Sequence, residues 1–484
     1  MSKIRRLASE TVVYGLGNIV PRLINFFLFP IHTGIFDPDD YGAFTILMSF
    51  VGVMNVVYSF GMETAYFRYA SKPDADPKRV FNIAQTTVIF ISTFLSLIFI
   101  LFSSSFAEIL DVKGHGDFIV WLSVIMFIDN IVSIPFARLR FEKKPLLFAF
   151  FRISNVVILT GLNLYFLYYA FDPAVGIGYI FLANLIANSF YIIFFFKTFI
   201  SWRPTFDSAL TPSMFTYAFP VMITGLAGMM NEFFSRLSLK EWLPENFYPG
   251  RSSEYAVGVF GGCYKFSVIM SLAVTAFRMA GEPFFFTNAS DKKSPELFAR
   301  VNYYFIIVCC VIMLGVSINT DILKLLLRKK SYWEALPIVP PLMLGYLFLG
   351  VYYNFTAWFK LTDRTYFGTI ITVGGAILTF VLNWLLIPIA GYYGSSWVTA
   401  IVYGAMMIAC YLIGQKYYPI PYQVLSGISY ITLTYLLIVA VNSFSFSNQI
   451  QATAFHTLII VIYCGFIFLI ERKKLYSKIT PEQG

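Results

Sequence analysis

Fourteen apolar stretches, each near the ~20 residues that carry a helix across a bilayer, follow one another with little chain between them. They run over residues 9–34, 41–67, 80–105, 117–137, 147–171, 176–199, 213–236, 255–285, 298–320, 335–358, 365–389, 392–414, 423–442 and 452–470. Backbone polar groups in hydrocarbon must be satisfied internally, which leaves helices or a closed barrel. The runs are continuous rather than alternating, which excludes the barrel. The short remainders leave no room for an extramembrane domain of ~100 residues. Composition agrees: 58% of residues are apolar and 13% charged, against about 45–50% and about 25% in soluble domains. A soluble enzyme and a disordered chain are both excluded.

The connections carry turn chemistry, as in Asp37-Pro38-Asp39-Asp40, Lys72-Pro73-Asp74, Gly114-His115-Gly116 and Asp172-Pro173. Basic residues alternate between the two sides. Lys3, Arg5, Arg6, Arg68, Lys72, Lys78, Arg79, Arg138, Arg140, Lys143, Lys144, Lys197, Arg203, Lys292, Lys293, Arg300, Lys360, Arg364, Lys416 and the tail residues Arg472, Lys473, Lys474 and Lys478 share one side. The positive-inside rule makes that side cytoplasmic, with both termini on it. The formal net charge of +9 then reflects loops against an anionic leaflet rather than nucleic acid. One stretch breaks the pattern: Leu323–Trp333 (LKLLLRKKSYW) falls on the outer side, and its amphipathic character predicts an interfacial segment there.

The five cysteines lie in apolar stretches without metal-ligand spacing, so neither disulfide nor zinc is expected. The first residues, MSKIRRLASETVVYGLGN, lack a short apolar core with a small-residue cleavage site and read as a retained first helix.

A composition break at 200–213 (SWRPTFDSALTPS) separates the sixth and seventh helices. It divides the chain into an N-terminal lobe of helices 1–6 (residues 1–203), a C-terminal lobe of helices 7–12 (204–420), and two additional helices with a tail (421–484). The expected fold is an all-α membrane protein of about fourteen helices, two six-helix lobes around a central cavity plus two more. A faint internal repeat supports this. Asp40-Tyr41-Gly42-Ala43-Phe44 opens the second helix and Tyr255-Ala256-Val257-Gly258-Val259-Phe260 opens the eighth; Thr64-Ala65-Tyr66-Phe67-Arg68 resembles Thr275-Ala276-Phe277-Arg278.

A charge at the bilayer centre costs at least about 2.5–3.5 kcal/mol, so it faces a cavity or a partner. The basic residues inside predicted helices are Arg22, Arg152, Arg236, Lys265 and Arg278; the acids are Glu63, Asp129, Glu232 and Glu282, with Glu10 near an end. A proton or cation relay calls for a surplus of acids. A surplus of bases suits an anion such as a pyrophosphate, since Arg grips phosphate oxygens in a bidentate way. Arg22 has Asn18 and Asn25 on its helix face, beside a kinking Pro21. It lines a cavity, or it pairs with Glu63 or Glu232. Glu232 and Arg236 have the spacing of an intrahelical ion pair. Lys265 and Arg278 lie about 20 Å apart along one helix, so they mark two depths of one pathway and cannot grip a single phosphate. Asp129 and Arg152 pair across neighbouring helices. The candidate substrate-binding set is therefore Arg22, Asn18, Asn25, Lys265, Arg278, Arg236 and Arg152. Glu63, Asp129 and Glu232 are the candidates for coupling or gating. His32, His115 and His456 are scattered near helix ends and form no site. No P-loop, GxSxG, HExxH or dinucleotide fingerprint is present, so no catalytic residue, metal or cofactor is assigned, and ATP hydrolysis is not expected.

Several local patterns, in order along the chain, resemble the polysaccharide-transporter branch of the multidrug/oligosaccharidyl-lipid/polysaccharide exporter superfamily. They are Asp39-Asp40-Tyr41-Gly42, the run from Gly61 to Arg68, Arg140-Phe141-Glu142-Lys143-Lys144-Pro145, and Tyr217-Ala218-Phe219-Pro220. The eighth helix adds Val257-Gly258-Val259-Phe260, Tyr264-Lys265 and Pro283-Phe284. Pro340-Pro341-Leu342 and the segment from Gly391 to Gly394 complete the series. The resemblance implies a Wzx-type flippase that moves undecaprenyl-pyrophosphate-linked oligosaccharide across the bacterial cytoplasmic membrane by alternating access. It also implies a cationic lumen, and drive by H⁺, Na⁺ or membrane potential. Related lipid II flippases use arginines of the first, second and eighth helices. Arg22 matches the first and Lys265 or Arg278 stands for the eighth, while the second helix offers no mid-membrane Arg. Expected partners are the lipid-linked oligosaccharide and bilayer lipids, with a polysaccharide polymerase and chain-length proteins as neighbours.

The competing readings are an ion-coupled multidrug or cation antiporter of the same superfamily, a membrane enzyme, and a scaffold. The first would place an acid deep in the first helix, where Arg22 stands instead. The second would need a larger outer loop with an acid/base set. The third would bury fewer charges.

Overall fold

The computed structural model describes residues 3–110, 112, 114–288, 293–444, 446 and 448–479. Lys3, Arg5, Arg6, Glu10, Glu282, Pro283, Lys292, Lys473, Lys474 and Lys478 lie outside the described side chains. Among the described residues the helices group into fourteen successive elements, with no strand. They are α1 (Lys3–Phe26, continued by Phe29–Ile35), α2 (Pro38–Ser59 and Met62–Ala70), α3 (Pro77–Leu101), α4 (Gly116–Ile131 and Ser133–Phe141), α5 (Pro145–Tyr168), α6 (Gly178–Phe194 and Phe196–Ser201), α7 (Leu210–Trp242), α8 (Ser253–Asn288), α9 (Ser294–Ile318), α10 (Val339–Phe355 and Ala357–Leu361), α11 and α12 (together Tyr366–Tyr417), α13 (Val424–Asn442) and α14 (Gln449–Ile479). Among the described residues, eleven helices are long and apolar enough to cross a membrane, and Gly178–Phe194 is a shorter apolar one. This is a multi-pass, all-α membrane protein.

The 52-residue stretch Tyr366–Tyr417 would be about 78 Å long if straight, more than twice the ~30 Å hydrocarbon core. It folds back instead. Gly391 has φ 53° and ψ −137°, and the Ser395 hydroxyl donates to Asn383 Oδ1 at 2.9 Å, although twelve residues of straight helix would separate them by about 18 Å. A Cβ at Gly391 would sit 2.2 Å from the Tyr248 hydroxyl, so glycine is required there on two counts. α1 runs helically through Pro21 and breaks at Phe27–Leu28, because the ring of Pro30 excludes the carbonyl four residues before it. α2 breaks at Phe60 and Gly61, both left-handed.

The loops after the even-numbered helices define one face, here the terminal face. The remaining loops form the distal face. The break at 200–213 is an ordered strap rather than a free linker. The Thr205 N–H donates to Thr86 Oγ1 of α3 at 3.0 Å. Asp207 caps the first turn of α7, accepting from Ala209 and Leu210 N–H at 2.9 and 2.8 Å, and pairs with Arg79. The Leu323–Trp333 segment lies on the distal face, as its amphipathic pattern predicts. Lys329 Nζ donates to the Ile35 carbonyl at 2.8 Å and Asp37 Oδ1 at 2.9 Å, Tyr332 donates to the Phe36 carbonyl at 3.1 Å, and Lys324 lies over the Trp333 ring.

In the turn between α4 and α5, Glu142 accepts from Arg138 Nε and Lys144 Nζ, each at 2.6 Å. Partial burial would raise its pKa, but these hydrogen bonds and charges outweigh it and hold the carboxyl below its ordinary 4.5. The stability this pairing supplies is present above the unfolded-chain value and lost as pH falls through the depressed folded one. Glu142→Gln is expected to cost up to about 1 kcal/mol at neutral pH, and its gap to the parent protein should close below about pH 4. Thermal melts at the two pH values check this; a gap of equal size in acid would mean that charge is not its source.

Candidate functional site

α2 is the element shared by both halves of the chain. Near the distal face it crosses α8 at Gly42 and Gly258. A Cβ on Gly42 would lie 2.0 Å from the Glu254 carbonyl oxygen, and one on Gly258 would lie 1.8 Å from the Pro38 carbonyl oxygen. The contact is reciprocal, each glycine meeting the carbonyl four residues before the other, so a local two-fold relates the two helices. These glycines occupy matching places in the repeat read from the sequence. Toward the terminal face α2 packs on α7 instead. Gly61 fits under the Ala218 carbonyl, Arg68 stacks on the Tyr217 ring at 4.2 Å, and Tyr69 donates to the Ser213 carbonyl at 2.9 Å.

Between these seams lies a cavity of about 440 Å³, walled by α2, α4, α6, α7 and α8, within the range of small-molecule sites. Four of the sequence-selected residues meet on its wall: Asp129, Glu232, Arg236 and Lys265. Glu232 and Arg236 have ion-pair spacing, yet no ion pair joins them. Glu232 instead accepts from three tyrosine hydroxyls, Tyr264 of α8, Tyr346 of α10 at 2.5 Å and Tyr403 of α12 at 3.2 Å. Arg236 is buried and lies 4.0 Å over the ring of the same Tyr264, a cation–π contact strengthened by exclusion of water. Lys265 is half-buried at the cavity wall. Neither Arg236 nor Lys265 has a carboxylate partner within ion-pair distance among the described residues.

The comparisons agree with this architecture. Residues 33–238 match the family model described as "Polysaccharide biosynthesis protein". The chain is 22% identical over 407 residues to "Lsg locus putative protein 1" of Haemophilus influenzae, spanning 82% of this chain and 97% of that protein. Its fold matches "Lipid II flippase MurJ, inward closed conformation" with a TM-score of 0.72 and 14% identity, covering 94% of this chain and 99% of the other. It also matches an inward-facing multidrug resistance MATE family transporter of the MOP superfamily, with a TM-score of 0.58 and 12% identity over 90% of this chain and all of the other.

The chain has the fold of these two membrane proteins. The other residues selected from the sequence lie apart from the cavity wall. Arg22 and Asn25 are exposed and Asn18 is half-buried. At 100° per residue they form one stripe on the side of α1 turned away from the exposed Leu16, Leu23 and Phe27. That stripe lies between the contacts of α1 with α8 (Phe29 on Phe266) and with α5 (Gly17 on Ala149). Asn18 donates to the Tyr14 carbonyl at 3.0 Å. Arg22 pairs with neither Glu63 nor Glu232 and has no ionic partner among the described residues. Counted from the distal ends of their helices, Arg22, Asp129 and Lys265 all lie about 18–20 Å deep.

Arg278 is exposed further along α8, over the Tyr353 ring at 4.7 Å, and is not part of the cavity wall. Arg152 stands behind the wall, over the Phe136 ring at 4.3 Å. It makes no ion pair with Asp129, whose Oδ1 accepts from Asn188 at 2.7 Å. Glu63 pairs with Arg140 at 2.5 Å near the terminal face, away from the cavity. His32 contacts Asn163 at 3.0 Å, tying α1 to α5.

Residues the sequence reading passed over include Tyr346 and Tyr403, and the amides Asn55, Asn184 and Asn188 on the cavity wall. Asn184 and Asn188 are four apart in an apolar helix, the same polar-stripe signal that marked Asn18, Arg22 and Asn25. The tyrosines carried no such signal in a chain with 32 of them.

Proposed function

We propose that the protein is a flippase for undecaprenyl-pyrophosphate-linked oligosaccharide, serving cell-surface polysaccharide synthesis at the bacterial cytoplasmic membrane with both termini cytoplasmic. The observation that carries this reading is that cations without carboxylate partners, Arg236 and Lys265, face a cavity at membrane depth. Arg22 stands unpaired at the depth of Lys265. Such charges are costly in a bilayer and are compensated by a polyanionic headgroup such as a pyrophosphate. In the proposed cycle the lobes 1–203 and 204–420 rock about the cavity. The α2–α8 and α2–α7 seams then open in turn while the lipid tail stays in the bilayer. Glu232 and Asp129, in the same cavity, give a second reading, a cation antiporter, its physical basis.

Proteoliposomes carrying a fluorescent undecaprenyl-pyrophosphate oligosaccharide separate the two. Leaflet exchange is expected for the parent protein, with losses of about ten- to a hundredfold in Lys265→Ala and Arg22→Ala, the weight of one charged hydrogen bond each. Absent exchange together with gradient-driven efflux of a cationic dye would install the antiporter reading instead.

A further inference from the structure

The cavity has two chemically different walls. α7 and α8 bring Arg236 and Lys265. The wall from α2, α4 and α6 contributes Thr45, Ser49, Asn55, Asn184, Asn188 and Asp129, with no Lys or Arg among them. Its polar groups are organised from behind. Asn155 Nδ2 donates to Asn188 Oδ1 at 3.0 Å, which fixes which end of the Asn188 amide faces Asp129. Asn188 Nδ2 then donates to Asp129 Oδ1 at 2.7 Å. Asn130 Nδ2 likewise donates to Asn55 Oδ1 at 2.8 Å. Asn188 is only 8% exposed, so this relay is held by packing. The second oxygen of Asp129 receives no hydrogen bond from the described residues, and Asp129 lines the cavity. Arg152, behind the wall, supplies a compensating positive charge without occupying that oxygen. Phe44 and Phe181 stack at 6.0 Å and give the same wall an apolar surface beside the amides.

We infer that this wall is a sugar subsite. In it Asp129, aimed by Asn188, accepts hydroxyl hydrogen bonds from the pyrophosphate-proximal sugar while Arg236 and Lys265 hold the pyrophosphate opposite. The inference rests on the flippase reading and adds a substrate class to it. A carboxylate that accepts from a ligand hydroxyl makes a strong, charge-assisted bond, and the same charge repels a sugar acid. The proximal sugar is therefore a neutral, hydroxyl-rich residue, and a uronic acid at that place is rejected.

The test is equilibrium binding to the purified full chain of three probes: undecaprenyl pyrophosphate alone, the same lipid bearing one neutral hexose, and the same lipid bearing one hexuronic acid. In the parent protein the hexose lipid should bind more tightly than the bare lipid, and the uronic lipid more weakly than the hexose lipid. Asp129→Asn should weaken the hexose lipid about tenfold, leave the bare lipid unchanged and improve the uronic lipid. Lys265→Ala should weaken all three. The gain with the uronic lipid cannot come from misfolding. If Asp129→Asn shifts all three probes equally, or none, while Lys265→Ala still weakens them, the sugar subsite is overturned and the flippase reading stands. If the parent protein binds none of the probes, the flippase reading falls and takes the subsite with it.

Discussion

Glu232→Ala is expected to destabilise the protein by about 3 kcal/mol, the scale for leaving buried hydroxyl donors without their acceptor. Three hydroxyls converge on this carboxylate from α8, α10 and α12, and Tyr346 and Tyr403 are 1% and 3% exposed. Truncation strands donors that cannot reach bulk water, each at about 1–3 kcal/mol. It also removes the acid nearest Arg236 in sequence. Since Glu232 is only half-buried, water entering the vacated space recovers part of the loss, which keeps the figure near the lower end. Glu232→Gln keeps an acceptor for the hydroxyls and should cost about 1 kcal/mol. Thermal unfolding of the detergent-solubilised proteins measures both. The pair Glu232→Ala and Tyr403→Phe should be less than additive, because each change removes the same bond. An alanine variant as stable as its parent would show that the three tyrosines do not depend on this carboxylate.

The second large effect concerns the distal seam. A side chain at Gly258 or Gly42 meets a backbone carbonyl at 1.8 or 2.0 Å, and no rotamer change relieves a clash with backbone. α2 and α8 must move apart by more than 1 Å, against a general scale for overpacking of about 1–3 kcal/mol. Small residues allow helix backbones to approach closely in membranes, and here the approach brings α2 against α8 beside the cavity. Gly258→Ala is therefore expected to cost about 3 kcal/mol and to leave the distal end open. Opening can be read with a maleimide at Thr45→Cys in a background whose exposed Cys464 is replaced; Cys263, Cys309, Cys310 and Cys410 are buried. Labelling from the distal side should rise severalfold over the Gly258 parent. Unchanged labelling and unchanged melting would mean that the helices accommodate the methyl group without parting.

Much of the architecture was legible because membrane insertion imposes a one-dimensional rule. A run of apolar residues must be helical and must be of spanning length. Turn chemistry located the breaks, and the turn before Tyr392 falls where Gly391 adopts its positive φ. The repeat seen weakly around Gly42 and Gly258 becomes a reciprocal backbone contact in three dimensions. Pairing was less legible. The i,i+4 spacing of Glu232 and Arg236 satisfies an intrahelical bridge, but Tyr264, Tyr346 and Tyr403 supply hydroxyls that spacing on one helix cannot reveal. Asp129 and Arg152 sit on adjacent helices, yet Asn188 takes the carboxylate and Phe136 the guanidinium. Glu63 goes to Arg140 because the Phe60–Gly61 break starts a separate helical segment beside the end of α4.

The sequence by itself determined that this is a polytopic helical membrane protein, and which ionisable residues fall inside its apolar stretches. Those properties depend on local composition, because the cost of an apolar or charged residue in hydrocarbon is set residue by residue. The tertiary structure decided which of those charges share a space. It gathered Asp129, Glu232, Arg236 and Lys265 on one cavity, left Arg152 behind its wall, and placed Arg278 and Glu63 elsewhere. That outcome depends on how each helix is rotated about its axis, and rotation is fixed by contacts such as Gly42 on Gly258 and Asn231 on Thr379, between segments far apart in the chain.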